Sequence, residues 1–173
     1  MGNLVPTRLI LSVLICLTVI GASCARSAAA QEGLRPAAEF ALGALMFADD
    51  GVVSEAFAGG AARFYLSARV AVGPEVAFIN GEHHSHLMFT GNMTFDLVRP
   101  ASPVTPFVVV GGGVFRTRET FFSGPFVSSD PAFTAGGGIR ASAGKFVFVG
   151  AEARIGWELH IRVNGLVGVR FGE

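Results

Sequence analysis

Lysine is almost missing from this chain: of its 13 basic residues only Lys145 is not an arginine. Charge of either sign is scarce, at 15% of 173 residues, where a soluble domain usually carries about 25%. The formal net charge is +0 and no long basic block occurs, which excludes the electrostatic footprint of a nucleic-acid binder. Tryptophan and tyrosine occur once each, as Trp157 and Tyr65. The two cysteines, Cys16 and Cys24, both lie near the N-terminus. No disulfide framework is therefore available to the rest of the chain. The apolar run Leu9–Ala22 is shorter than the roughly 20 residues a transmembrane helix needs.

That run reads instead as the core of a secretory signal peptide. Arg8 supplies the positive n-region, and Ala28-Ala29-Ala30 offers the small-residue cleavage pattern, with Gln31 as the expected mature N-terminus. Residues 1–30 are expected to be removed as a signal-peptide helix, leaving 31–173 as one domain. Cleavage and lipidation at Cys24 is the alternative, but Gly21 stands where a lipoprotein signal usually carries Leu.

What is abundant is glycine, at 23, and phenylalanine, at 16, arranged with a period of two. Leu87, Phe89, Gly91, Met93, Phe95 and Leu97 share one parity; Met88, Thr90, Asn92, Thr94 and Asp96 share the other. In a strand these sets face opposite ways, whereas a helix would mix them. The split recurs toward the C-terminus, where Ile161, Val163, Val167, Val169 and Phe171 oppose His160, Arg162, Asn164 and Arg170. Strands are expected near residues 38–48, 61–71, 73–80, 85–98, 105–118, 132–142, 145–157 and 159–171. The pair Gly73-Pro74, the stretch from Arg99 to Val104 and the stretch from Ser142 to Gly144 read as short turns. Asp49 to Gly60 and Phe122 to Pro131 read as longer, external loops. With both termini in the periplasm, this is the asymmetry of an outer-membrane barrel.

The polar parity decides between a soluble and a membrane barrel. Soluble strands expose lysine freely. Here the charges are almost all Arg, Glu and Asp, a set suited to bidentate pairing in a confined interior. The opposite parity is apolar, as lipid contact requires, since Arg or Lys near the midplane costs about 2–4 kcal/mol. Strands in hydrocarbon must pair every backbone group, so the sheet has to close. The expected fold is all-β: a closed antiparallel eight-stranded transmembrane β-barrel. Eight strands leave room only for side chains. Arg63, Arg69, Glu75, Asp96, Arg116, Arg140, Glu152, Arg154, Arg162 and Arg170 are the expected interior network. This set carries more Arg than acid, so some Arg would turn to Asn92, Asn164 or water.

Three segments then carry a family likeness: Pro106-Phe107-Val108-Val109-Val110-Gly111-Gly112-Gly113-Val114, Ala135-Gly136-Gly137-Gly138-Ile139-Arg140, and Val163-Asn164-Gly165-Leu166-Val167-Gly168-Val169-Arg170-Phe171. Over about residues 36–171 the chain resembles the small outer-membrane β-barrel domain family, which includes outer-membrane-protein-A-like and attachment/invasion-type barrels. The resemblance implies outer-membrane localisation in a Gram-negative envelope. It also implies a C-terminal assembly signal, here Val167, Val169 and Phe171, read by the barrel-insertion machinery. Phe171 is followed by Gly172-Glu173, and with one Trp and one Tyr the aromatic girdles would be built from Phe.

Two constellations invite chemistry. Glu82-His83-His84-Ser85-His86 has metal-ligand types, but on a strand His84 and His86 share a face while His83 points away. His83 and Ser85 suggest a lipid hydrolase, but no downstream acid is evident to orient the histidine. Gly111-Gly112-Gly113 and Gly136-Gly137-Gly138 lack the following Lys-Ser or Lys-Thr of a phosphate loop. The expectation is therefore a non-enzyme without cofactor or metal, in a structural, adhesive or barrier role. It would be monomeric, in contact with outer-membrane lipid, the insertion machinery and periplasmic chaperones, and without nucleic acid. A passive channel, an outer-membrane lipid hydrolase and a soluble periplasmic lipocalin-like barrel are the alternatives. In a Gram-negative host the full-length protein should resist carbonate extraction and migrate differently with and without boiling on a denaturing gel. Release into the periplasmic fraction without a shift would reverse the face assignment.

Overall fold

A computed structural model describes residues 35–172 apart from 50, 82–83, 99–101, 122–123 and 158–159. The expected signal peptide, including Cys24, and the Glu82-His83 part of the histidine cluster lie outside the described residues. The strands are β1 (Ala37–Asp49), β2 (Gly51–Tyr65), β3 (Val70–Asn80), β4 (His84–Asp96), β5 (Val104–Phe121), β6 (Gly124–Ser142), β7 (Val147–Gly156) and β8 (His160–Arg170). Each pairs antiparallel with its sequence neighbours. The first and last then pair with each other, from Ala37↔Arg170 to Phe47↔His160, which closes the barrel. Closure removes both sheet edges, the condition for strands to sit in hydrocarbon.

Burial alternates residue by residue, as in β8, where His160, Arg162, Asn164, Leu166 and Gly168 are buried and the residues between them are exposed. The outward face is dominated by Phe, Val, Leu, Ile and Met, including Phe40, Leu42, Val76, Phe78, Phe89, Ile139, Ile155, Ile161 and Val163. Such exposed apolar side chains would be untenable over a whole soluble surface. They suit acyl chains.

The structure corrects several expectations. The second strand runs over Gly51–Tyr65, not 61–71, and the turn follows it at 66–69. Gly73-Pro74 lies inside β3. Ser67 makes the turn: its hydroxyl accepts from the Val70 amide at 3.2 Å, while the Leu66 amide donates to the Val70 carbonyl at 2.8 Å. The two expected long loops are largely strand. Asp49 pairs with Gly51, and Phe121 with Gly124. Small residues and Asp made these stretches look like loops, but ladder pairing across the sheet overrides local propensity. With β5 at 18 residues and β6 at 19, against about 9–11 needed to cross, this hairpin runs past the membrane at the end away from the termini. That end is external by the usual asymmetry of such barrels.

Glycines make room where large side chains turn inward. A Cβ on Gly168 would overlap the Phe148 ring, and one on Gly111 would overlap the Asn92 amide oxygen. Gly144, at φ +122°, is a turn position that suits glycine for its backbone. A Gly168→Val variant should lower stability by about 1–3 kcal/mol, the usual cost of overfilling a packed interior. Urea unfolding in vesicles checks this; an unchanged midpoint would mean that Phe148 moves aside freely.

Candidate functional site: the charged interior

Facing β7 and β8, Arg154 stands directly opposite Arg162. Two like charges in register would repel. Two carboxylates separate them. Glu152 Oε1 accepts from Arg154 Nε at 2.7 Å and from Arg162 Nη2 at 2.8 Å. Glu75 reaches across from β3, accepting from Arg154 Nη2 at 2.9 Å and from Arg162 Nη1 at 2.5 Å. Asn92 donates to Glu75 Oε2 at 2.9 Å and accepts from Arg154 at 3.3 Å. The four charges alternate in sign around a closed circuit.

A second circuit, open at one end, lies alongside. Glu39 pairs with Arg63 at 2.5 Å and with Arg140 at 3.1 Å. Arg140 donates to Asp96 at 3.1 Å, and Tyr65 donates to the other Asp96 oxygen at 3.1 Å. Arg63 also donates to the Thr94 hydroxyl. A 4.0 Å approach of Arg63 to Glu152 joins the two circuits. Each circuit holds two cations and two anions, so each is neutral.

Apolar layers close the network above and below. Leu45, Phe57, Ile79, Met88 and Phe115 form one cluster, and Phe107, Val109, Phe148 and Leu166 another. The guanidiniums lie on these rings: Arg162 over Phe57 at 4.5 Å, and Arg140 over Phe107 at 3.7 Å. Toward the external end, Phe115 stacks on His86 at 4.8 Å, and Phe47 lies 5.9 Å from His160. Beside the network remains a cavity of about 20 Å³, lined by Glu39, Arg63, Glu75, Arg162 and Asn164 among others. That is room for a single water, not for a hydrated ion path.

Arg63, Glu75, Asp96, Arg140, Glu152, Arg154 and Arg162 are thus brought together inside. Three residues expected with them are not. Arg69 is exposed in the turn after β2. Arg170 is half-buried at the rim, over the Phe148 ring at 4.7 Å. Arg116 is exposed and faces outward, as does Arg118. On β5 both parities are apolar up to Phe115; Phe107, Val109 and Phe115 point in while Val108, Val110 and Val114 point out. The period alone could not say which set was internal. Sequence reading also passed over Glu39 and Glu55, both buried. Glu55 approaches His86 at 3.7 Å. Glu39 had a signal, since it is the one charge in β1's alternation before Asp49. Glu55 fell in the supposed loop. Replacing the outward Arg and adding Glu39 turns the expected arginine excess into balance.

No family model matches this sequence, and no curated protein matches it. Solved structures do. Neisserial surface protein A is 12% identical, with 81% of this chain and 98% of that one covered at a TM-score of 0.67. The N-terminal β-barrel domain of Pseudomonas aeruginosa OprF is 13% identical, with 78% and 97% covered at 0.65. Ail, the attachment invasion locus protein of Yersinia pestis, is 11% identical, with 79% and 97% covered at 0.58. This chain shares the closed eight-stranded barrel fold of these outer-membrane proteins. At such identities the likeness is of fold, and roles have to be argued from the residues.

Glu152→Ala should cost about 3–5 kcal/mol, because it leaves Arg154 and Arg162 buried without one of the two carboxylates between them. Arg116→Ala, on an exposed side chain, should stay within about 0.5 kcal/mol. Denaturant midpoints in detergent or vesicles compare the two; equal effects would mean that the circuits add nothing to stability.

Proposed function

We propose that this protein is a non-enzymatic, non-conducting barrel of the outer membrane with a structural or adhesive role, and that it acts through its external end. The filled interior carries this reading. Two neutral ion-pair circuits, capped by rings, block the axis. What such a barrel offers its surroundings is then its surface, and above all the long β5–β6 hairpin. The three neighbours named above are consistent with a surface role; one of them is named for attachment. Val167, Val169 and Phe171, exposed and alternating at the end of the chain's last strand and just past it, suit a C-terminal assembly signal, and the outer face, apolar over the membrane depth, suits a monomer in lipid.

Planar bilayers test the interior. Wild-type protein should give no stable conductance steps at neutral pH. Steady steps that Glu152→Ala enlarges would instead establish the passive channel. An altered lipid A acyl profile on overexpression would establish the hydrolase in place of the non-enzyme.

A further inference from the structure

Among the described side chains of the eight strands, Arg116 and Arg118 are the two charges that face outward; the others follow the inward parity of their strands or lie at the rim. They stand two residues apart on one face of β5, so their side chains project the same way. Neither has an ion pair or hydrogen bond to another described residue. An arginine at the midplane would cost about 2–4 kcal/mol, falling to nearly nothing at the interface, so their depth decides what they meet.

The strand itself gives that depth. The outward residues of β5 are apolar from Val104 through Val108 and Val110 to Val114. At ~3.3 Å per residue and a tilt of ~40°, this column covers about 25 Å along the barrel axis, the height of the apolar band. Arg116 is the next outward residue above it and Arg118 the one after. On β4 Leu87 stands beside Arg116, and one outward step below lie Val114 and Phe89, all exposed. Beside Arg116, Ser129 of β6 is exposed as well, and Ser85 of β4 sits beside Arg118. Two guanidiniums with no partner among the described residues and two hydroxyls thus crown an apolar column at headgroup level.

The geometry points to a docking surface for a phosphorylated glycolipid of the outer leaflet: Arg116 and Arg118 hold its phosphate while its acyl chains lie on Val114, Leu87 and Phe89. Guanidinium groups match phosphate in a bidentate manner. The apolar column directly beneath selects a lipid-borne phosphate over a dissolved one. Two adjacent cations favour a phosphate monoester, with its higher charge, over the phosphate diester of a common phospholipid.

The test uses the protein refolded into phosphatidylcholine vesicles, with and without diphosphoryl lipid A, and follows urea unfolding through Trp157 fluorescence. Lipid A should raise the wild-type midpoint. In an Arg116→Gln/Arg118→Gln double variant, most of that gain should vanish, with apparent lipid A affinity falling about tenfold or more on loss of two charge-assisted contacts. Arg116→Lys/Arg118→Lys should keep part of the gain, and it carries the comparison should the Gln variant fail to refold. Native mass spectrometry should show retained lipid A on wild type and its loss from the Gln variant. An equal lipid A gain in wild type and the Gln variant would overturn the proposal. So would a comparable gain from inorganic phosphate in the buffer, which would mean that the lipid is not what is recognised.

Discussion

Eight of the described charged side chains interlock in the narrow interior of this barrel, and there they are solvated mainly by one another. Isolated charges in such a space cost several kcal/mol each even after relaxation. The arrangement that answers this is alternation of sign: Glu75 and Glu152 between Arg154 and Arg162, and Glu39 and Asp96 around Arg63 and Arg140. Neutrality holds within each circuit, so neither needs a counter-ion from outside. The strands that supply these residues are β1, β2, β3, β4, β6, β7 and β8, with β5 adding the Phe107 ring beneath Arg140. The circuits therefore fix the register of nearly the whole sheet, because a one-residue slip would turn a strand's charges toward lipid.

The rest of the interior is fitted to that lattice. Large rings lie above and below it, and glycines face them where a side chain would collide, as Gly168 does with Phe148 and Gly111 with Asn92. A channel and a plug both begin from a ring of charges. Here the cations and anions are within bonding distance of each other and the rings cover the ends, which favours the plug and directs attention to the outer surface.

That surface is divided as cleanly as the interior. Among the described side chains its strand faces are apolar over the depth of the hydrocarbon, and outward charge begins where Val114 gives way to Arg116. Arginine in place of lysine suits both settings: inside, a planar fork that bridges two carboxylates; outside, one that matches phosphate.

Much of this was determined by the sequence alone, because the period of a strand is two and a membrane barrel separates its two faces by chemistry. The alternations from Leu87 to Asp96 and from His160 to Phe171 were enough to indicate closed, lipid-facing strands, and they placed Asp96 and Arg162 inward. Where both parities were apolar, as on β5 below Phe115, period two had no power to choose a face. There the inward direction follows from register with β4 and β6, and so Arg116 went outward. Where residues were small, as from Gly51 to Gly60, local propensity suggested a loop, while pairing with β1 and β3 made a strand and brought Glu55 inside. Which acid meets which arginine was likewise decided only by the closed sheet, since Glu75 and Arg162 are 87 residues apart in the chain and meet because curvature carries β3 across the barrel from β8.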